Sequence, residues 1–366
     1  MNYTYQHYQT GLTLLYNVGP RRAKELIRSL GSIEPLFHDS PIKLAQRTGY
    51  KTSFFRAINR EQALLDAVSI VAFHEAKGIN AIFYTDPRFS RRLNHCPDAP
   101  LLLFSKGDID LNAHKFVAIV GTRAATPYGK EICRKLIESF QGLNIVVVSG
   151  LAHGIDSYVH SYCVGYKVPT AAILGHGLDR IYPQRNRSLA KDILSTGALI
   201  TEFIPGTIPD RENFPKRNRI VAGICDATIV VESKTKGGSL ITAALANSYD
   251  RDVFAFPGNI NRETSQGCNA LISQQKAHLI QSPFEFLTMM GWKDDEIKPA
   301  IQRSAFPDLN AIQKTIIAEI AKKQTAHIDL LSAHLKIPIS KLNVELFNLE
   351  MAGVISELPG KRYTMT

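Results

Sequence analysis

The sequence predicts an α/β fold built on a doubly wound parallel sheet, with a helical module before it and a second small module after it. Eight short apolar runs rich in β-branched residues recur between about residues 79 and 258, each bounded by Gly, Pro or Ser. Such runs are typical of strands buried on both faces of a parallel sheet. Amphipathic segments separate several of them, and this βαβ alternation indicates a Rossmann-like domain.

The N-terminal region alternates short helical patterns with turns. Asn17-Val18-Gly19-Pro20 predicts a tight turn, with Pro20 in the first turn of the next helix. In that helix Ala23, Leu26, Ile27 and Leu30 share one face, and four cations lie largely on the other: Arg21, Arg22, Lys24 and Arg28. The pattern is that of a helix-hairpin-helix (SAM-like) module that meets a DNA phosphate, or of a purely structural helical hairpin.

The predicted strands of the central domain can be located in the sequence. They are AIFY, PLLLFSKG, KFVAIVG, NIVVVSG, PTAAILG, GALITEF, ATIVVES and DVFAFPG. Helical patterns such as PYGKEICRKLIESFQGL and LITAALANSYD lie between them. All eight runs are expected to join one parallel sheet.

The segment after Trp292 is charged, contains proline and reads as a linker. The remaining residues predict a small winged helix, with a candidate recognition helix from Ile339 to Met351 and a wing around Pro359-Gly360. Winged helices read duplex DNA or pack against proteins, so this pattern leaves the module's role open. The predicted domains are thus a helical module over 1–66, a Rossmann-like domain over 67–290, a linker over 291–305 and a winged helix over 306–366.

Composition narrows the class of partner. The chain has 366 residues, 45% of them hydrophobic and 21% charged, as in an ordinary folded protein of two or three domains. The net charge of +10 favours a polyanionic partner. The five cysteines are scattered without metal-ligand spacing, so we expect no metal and no cofactor. We find neither a signal peptide nor an apolar run long enough to span a membrane, and we expect a cytoplasmic protein.

Candidate binding residues follow the strand ends, where open α/β sheets bind ligands. After the KFVAIVG run, Gly121, Thr122 and Arg123 predict an anion-binding turn at a helix start, although Arg123 could instead pair with a carboxylate. The run lacks the G-x-G-x-x-G dinucleotide fingerprint. After the next run, Ser149 and Gly150 indicate close backbone approach to a ligand.

The densest group of candidates is NFPKRNR. Phe214 stands beside Lys216, Arg217, Asn218 and Arg219, in a loop that we expect to end at a helix starting near Asn218. Aromatic stacking on bases and cation contacts to phosphates suit a single nucleic-acid strand, whereas the alternative is a core Phe under a solvated basic loop. Three further site residues, Gly237, Gly238 and Ser239, form a predicted nest of backbone amides before a helix.

Other polar residues near these runs are weaker candidates for a role in binding or catalysis. Tyr182 with Arg185 and Arg187 forms a second aromatic and basic cluster. Asp156 could act as a base with His153 or His160, but an Asp at a helix start is more often a cap. We therefore predict no catalytic residue.

The ordered motifs VAIVGTR, VVSGLAHGIDSYVH, AILGHGLDRIYP, FPKRNRIVAGICDATIVVES, KGGSLITA and FAFPGNINRETSQGCNALI resemble the DNA-processing protein A (DprA/Smf) family over residues 80–285. The resemblance implies a dimeric protein that binds single-stranded DNA without sequence preference and loads RecA recombinase onto it during natural transformation. It also implies that the GTR turn, the FPKRN segment and the glycine nest contact DNA. Thr122 stands where many members carry Ser, and the change from Ser to Thr retains the side-chain hydroxyl.

Two other functions compete with this interpretation. Rossmann-like nucleotide phosphoribohydrolases carry a glycine motif that Lys236-Gly237-Gly238-Ser239 resembles at its start, but the following helix lacks their carboxylate. Glu232 is the candidate substitute for that carboxylate. The second alternative is an adaptor that binds only proteins, through the winged helix and the dimer face.

Overall fold

The computed structural model describes residues 3–113, 115–292, 309–323, 325–351, 354–358 and 360–365. The described residues form two compact units, one on each side of residue 294. None of the described helices combines the length and the apolar character that a bilayer span requires.

Six helices form the N-terminal region: α1 Tyr5–Leu14, α2 Pro20–Leu30, α3 Glu34–His38, α4 Pro41–Thr48, α5 Thr52–Ala57 and α6 Arg60–Ala76. The predicted turn between the first two helices is present, with Asn17 at a φ of 58° and Pro20 as the first residue of α2. Helix α6 runs through the predicted domain boundary at residue 66. The helices share a buried core with Phe83 and Phe104 of the sheet, so they pack directly on the domain that follows.

The first unit contains one sheet, whose described strands are β1 Asn80–Phe83, β2 Leu102–Gly107, β3 Lys115–Val120, β4 Ile145–Ser149, β5 Thr170–Ile173, β6 Gly197–Thr201, β7 Ala227–Val230, β8 Asp252–Ala255 and β9 His278–Leu279. Their order is β1-β2-β6-β5-β4-β3-β7-β8-β9. In this order, every pair of neighbouring strands from β6 across the sheet to β9 is parallel, which confirms the predicted fold class. The expectation of an entirely parallel sheet is wrong near one edge, because β2 pairs antiparallel with both β1 and β6.

Helices cover both faces of this sheet: α7 Arg91–Asn94, α8 Pro127–Ser139, α9 Ile155–Tyr166, α10 Arg187–Ile193, α11 Asn213–Ile224, α12 Gly238–Ser248, α13 Glu263–Ser273 and α14 Pro283–Met289. Strand β3 shows how the faces alternate. Ala118 and Val120 belong to the core that includes side chains of α11, α12 and α13, whereas Val117 and Ile119 belong to the core with α8, α9 and α14. This arrangement is the doubly wound fold.

The order in which the chain adds strands to the sheet reverses at β3. The next strand in sequence, β4, lies on one side of β3, and β7 lies on the other. The loops after β3 and β7 therefore leave their strands on opposite faces and open a crevice at the carboxyl edge, which is where open α/β sheets bind ligands.

The second unit is a winged helix, as predicted: α15 Ala311–Lys323, β10 Thr325–His327, α16 Ile328–Leu335, α17 Ile339–Met351, β11 Ile355–Leu358 and β12 Arg362–Met365. Its described core includes Ile320, Leu331, Leu346 and Tyr363. The predicted recognition helix corresponds to α17. Pro359 of the predicted wing and the predicted linker beyond residue 292 lie outside the described residues.

Candidate functional site

A cleft of about 660 Å³ opens at the carboxyl edge of the sheet, at the crevice beside β3. Its walls come from the turns after β3, β4 and β7, from the segment before α11 and from α11 itself. The lining residues that bear on function are Gly121, Thr122, Arg123, Gly150, Tyr182, Arg211, Phe214, Arg217, Asn218, Lys234, Lys236, Gly237, Gly238 and Ser239. The fold thus gathers most of the predicted site residues in one place.

The turn after β3 is held by backbone hydrogen bonds. The N–H of Thr122 donates to the carbonyl of Glu232 at 2.8 Å, and the carbonyl of Thr122 accepts from the N–H of Ile155 at 3.1 Å. A Cβ at Gly121 would lie 2.5 Å from the Ile155 side chain, and one at Gly154 would lie 2.2 Å from the Thr122 carbonyl oxygen. Only glycine therefore permits this close approach, which fixes the turn at the floor of the cleft.

Arg123 and two aromatic rings line the cleft beside that turn. The guanidinium carbon of Arg123 lies 5.4 Å from the centroid of the half-buried Phe214 ring, within range of a cation–π interaction. The Tyr182 ring is 46% exposed, with its centroid 6.2 Å from that of Phe214. Arg123 is exposed and has no carboxylate partner among the residues that the structure describes, so its charge faces solvent. The alternative of an Arg123 ion pair is not what the described residues show.

The basic segment around Phe214 is helical, in contrast to the predicted loop. Helix α11 begins at Asn213 rather than near Asn218. Phe214, Arg217, Asn218 and Val221 follow the helical repeat and lie along the cleft. Lys216 and Arg219 fall on another face of the helix and do not line the cleft.

Arg217 is buried and holds the cleft together. Its side chain donates to the carbonyls of Gly150 and Ile173, both at 2.5 Å, and to the Asn218 amide oxygen at 3.1 Å. Burial lowers the pKa of Arg217 and raises the pKa of the buried Asp156 carboxyl, while the opposite charges of the two residues partly offset both shifts. These contacts join α11 to the ends of β4 and β5. The geometry therefore gives Arg217 a structural role, and its contact with a nucleic acid stays a prediction.

Ser149 is also structural. It is fully buried, and its hydroxyl donates to the carbonyl of Ile119 at 2.7 Å. Gly150, by contrast, lines the cleft, where a Cβ would lie 2.0 Å from the Arg217 guanidinium. Of this predicted pair, only the glycine backbone is available to a ligand.

Arg219 and Lys216 lie away from the cleft. The Arg219 guanidinium forms an ion pair with Glu202 and donates to the carbonyl of Asp98. Lys216 is exposed, and its charge acts on the same Glu202 carboxyl, whose pKa is raised by burial and lowered in part by Arg219 and Lys216. The single basic cluster predicted from sequence is therefore divided between two faces of α11.

The glycine nest stands at the start of α12. Gly238 is the first helical residue and is exposed, and no side chain caps the helix. A Cβ at Gly237 would lie 2.3 Å from Ser233 Oγ. Ser239 is buried and donates its hydroxyl to Ser233 at 2.9 Å, so it braces the turn. The free amides at this helix start suit an anionic group of a ligand.

Sequence reasoning missed three cations of the cleft. Arg211, Lys234 and Lys236 are exposed and line it, with Lys234 in an ion pair with Glu263 at 2.5 Å. Lys234 and Lys236 lie between β7 and α12, so the strand-end rule applied to their segment would have identified them. Together with Arg123 they form a ring of positive charge around the amide-rich turns.

Comparison with known proteins identifies the family of this chain. A family model described as DNA recombination-mediator protein A matches residues 80–291, which is more than half of the chain. The chain belongs to this family. A second model, the DprA winged helix domain, matches residues 302–361.

Relatives and solved structures agree with the family assignment. Protein Smf of Synechocystis is 31% identical over 98% of both chains. DNA processing protein DprA of Streptococcus pneumoniae is 43% identical over 52% of this chain and 67% of its own length. The DprA structure from S. pneumoniae superposes with a TM-score of 0.63 at 32% identity, covering 79% of this chain and 98% of that one. DprA of Helicobacter pylori, whose structure is described as giving insight into its single-stranded DNA binding mode, has a TM-score of 0.53 at 27% identity over 58% and 95% of the two chains.

In this member of the DprA family, Glu232 has a structural role. It is 2% exposed, and its carboxylate accepts from the Thr126 N–H at 2.9 Å and from the Thr126 hydroxyl at 2.7 Å. Thr126 is the N-cap of α8. Glu232 does not line the cleft, so it is poorly placed to act on a bound nucleotide as the phosphoribohydrolase alternative requires.

Proposed function

We propose that this protein binds single-stranded DNA in the cleft without sequence preference. The observation that carries the proposal is the Arg123–Phe214 pair beside the two amide-rich turns, because it sets a stacking surface next to phosphate-binding groups. An aromatic face accepts any base, and cations and backbone amides contact the backbone that all sequences share. The description of the H. pylori relative supports the same ligand.

The proposal extends to partners. Membership of the family supports a homodimer that loads RecA recombinase onto the bound strand during natural transformation. In this role the cleft holds a strand that a recombinase later takes over, so binding has to be reversible. We further propose that the protein acts in the cytoplasm and is not an enzyme.

The proposal is tested by titrating labelled single-stranded and duplex oligonucleotides at two salt concentrations. We expect preferential binding of the single strand and a log–log salt slope of about −3, since four exposed cations each contribute roughly 0.7. Arg123→Glu is expected to weaken binding and flatten that slope. Lys77→Glu, the same charge change at an exposed residue after α6, serves as the control. Binding that does not respond to Arg123→Glu would overturn the assignment of the cleft.

Loading of RecA is tested separately. The rate at which RecA assembles on single-stranded DNA covered by a single-strand-binding protein is expected to rise when the wild-type chain is added. Arg123→Glu should lose this effect in proportion to its loss of DNA affinity. An unchanged assembly rate with the wild-type chain would contradict this part of the proposal while leaving DNA binding intact.

A further inference from the structure

A second groove, of about 800 Å³, lies between the N-terminal hairpin and the face of α11 that points away from the cleft. Its lining includes Arg21 and Arg22 of α2, Tyr50, and Arg219 of α11. We propose that this groove binds the sugar–phosphate backbone of the same DNA strand after it leaves the cleft. The inference rests on the proposed function and extends the binding track to the N-terminal helices.

Two arginines make the groove suitable for a nucleic acid. The Arg21 side chain is 89% exposed, so it can reach a phosphate without losing a buried contact. The Arg22 guanidinium lies 5.9 Å from the centroid of the Tyr50 ring and 5.3 Å from that of Phe54. A guanidinium plane held against rings in this way offers a surface on which an unpaired base stacks.

The carboxylates that line the groove already have hydrogen-bond or ion-pair partners. Glu25 accepts a hydrogen bond from the Tyr50 hydroxyl at 2.9 Å and lies 3.5 Å from Arg21 Nε. Asp98 accepts from the Tyr249 hydroxyl at 2.7 Å. A phosphate would compete with Glu25 for Arg21, so the proposal makes a further prediction: removal of the Glu25 charge should strengthen binding.

Helix α11 connects the two sites. Phe214 and Asn218 face the cleft, whereas Arg219 lines the groove. Lys216 is exposed in the same part of α11. An α-helix with its side chains is about 10–12 Å across, so a strand leaving the cleft crosses only the first turns of α11 to reach Arg21. On this path the strand contacts Lys216, a predicted DNA-binding cation that does not line the cleft.

The test compares a short oligonucleotide of about 6 nucleotides, which occupies the cleft alone, with one of about 30 nucleotides. Arg21→Glu in the full chain is expected to weaken binding of the long oligonucleotide about 10-fold, to flatten its salt slope by at least about 0.7, and to leave the short one within about twofold. Glu25→Gln should strengthen binding of the long oligonucleotide only. Arg56→Glu is the matched control, since Arg56 is exposed in the same helical region but lines a different pocket.

A second measurement uses the wild-type chain and so avoids any effect of substitution on folding. A long oligonucleotide carrying photoreactive thymines is expected to crosslink to the peptide over residues 17–28, and the short one is not. Equal binding of the long oligonucleotide by wild type and Arg21→Glu, without that crosslink, would overturn the groove proposal. An Arg21→Glu effect confined to duplex DNA would overturn it as well.

The two proposals can fail separately. If Arg123→Glu weakens both oligonucleotides and Arg21→Glu weakens neither, the cleft stands and the groove is wrong. If Arg21→Glu weakens the long oligonucleotide while Arg123→Glu has no effect on either, the cleft assignment is wrong and the groove is itself the primary site.

Discussion

The guanidinium of Arg123 lies 5.4 Å from the centre of the Phe214 ring and joins the turn after β3 to the start of α11. The two side chains come from segments that are distant in sequence and meet only because both follow strands at the same edge of the sheet. Arg123 also contacts the ring on which a base is proposed to stack. The two residues should therefore act as a unit when DNA binds.

Phe214→Ala is expected to lower the affinity for single-stranded DNA about 5- to 150-fold, because stacking on an aromatic ring contributes about 1–3 kcal/mol per base. In a double-mutant cycle with Arg123→Ala, the coupling energy should exceed about 0.5 kcal/mol, as expected for residues in contact. Phe284→Ala, at a 58% exposed ring on α14, is the control. Fluorescence anisotropy provides the measurement, and strictly additive effects would show that the pair does not act as a unit.

Substitutions at Arg217 and Lys216 distinguish effects on the stability of the fold from effects on DNA binding. Arg217→Met should destabilise the fold by about 3–5 kcal/mol, because it leaves the buried Asp156 without a compensating charge and the Gly150 and Ile173 carbonyls without their donor. Lys216→Met, at the exposed neighbouring residue, should change stability by less than about 0.5 kcal/mol. Denaturant unfolding measures both. An Arg217→Met variant of wild-type stability that no longer binds DNA would support the direct contact that the sequence predicts.

The sequence was most informative where the sheet is buried on both faces. All eight apolar runs form strands, because their residues contact helices on alternate sides. The reversed direction of β2 was not predictable, since a short apolar run looks the same in parallel and antiparallel pairing. Strand β9 was missed because its two residues, His278 and Leu279, carry no periodicity.

The site was predicted in part, and the errors have physical causes. The glycine turns were found because strand ends meet at one edge of the sheet. The start of α11 was placed too late, since Pro215 suggests a loop, although the first turn of a helix tolerates proline. The burial of Arg217 was not predictable, because arginine is rarely buried and its acceptors, Gly150 and Ile173, come from two other strand ends.

Glu232→Ala tests the enzyme alternative. We expect no release of base from nucleoside monophosphates by either the wild type or the variant, measured by chromatography. We also expect the variant to lose about 1–3 kcal/mol of stability, because the Thr126 N–H and hydroxyl lose their acceptor. Thr126→Val removes the hydroxyl's bond to Glu232 and its N-cap bond from the Gly129 N–H, and leaves the bond from the Thr126 N–H to Glu232 in place. Turnover in the wild type that disappears in Glu232→Ala would establish a catalytic role.

Two buried histidines predict how stability depends on pH. Burial lowers the pKa of His74 to about 4 and that of His160 to about 3. The unfolded chain binds a proton on each ring below about pH 6.5, whereas the folded chain does not, so acid favours unfolding. Stability should therefore fall from about pH 6.5 towards pH 4, by up to about 1.4 kcal/mol per pH unit for each ring.

His74→Leu isolates one of the two rings. The variant keeps an apolar contact with Phe104, whose ring centroid lies 4.3 Å from that of His74. Its stability between pH 6.5 and 4.5 should fall less steeply than that of the wild type, by up to about 1.4 kcal/mol per pH unit, while the slopes between pH 7.5 and 8.5 should agree. Parallel curves across the acid range would mean that folding does not lower the pKa of His74.

Trp292 is the last described residue of the first unit. Its ring is 8% exposed and packs edge-on against Phe286 with the centroids 5.5 Å apart, within the core that α8 and α9 share. A chain of residues 1–292 retains that ring and every described core residue of the first unit. It should fold and bind the 6-nucleotide oligonucleotide within about twofold of the full chain.

A chain of residues 1–290 provides the matched comparison, because it lacks only Gly291 and Trp292. Its stability is expected to fall by about 3–5 kcal/mol relative to residues 1–292, as for the loss of a buried tryptophan from a core. Thermal unfolding of the two proteins side by side measures the difference. Equal stability would show that Trp292 contributes little to this core, whereas a failure of both to fold would show that the first unit requires the winged helix.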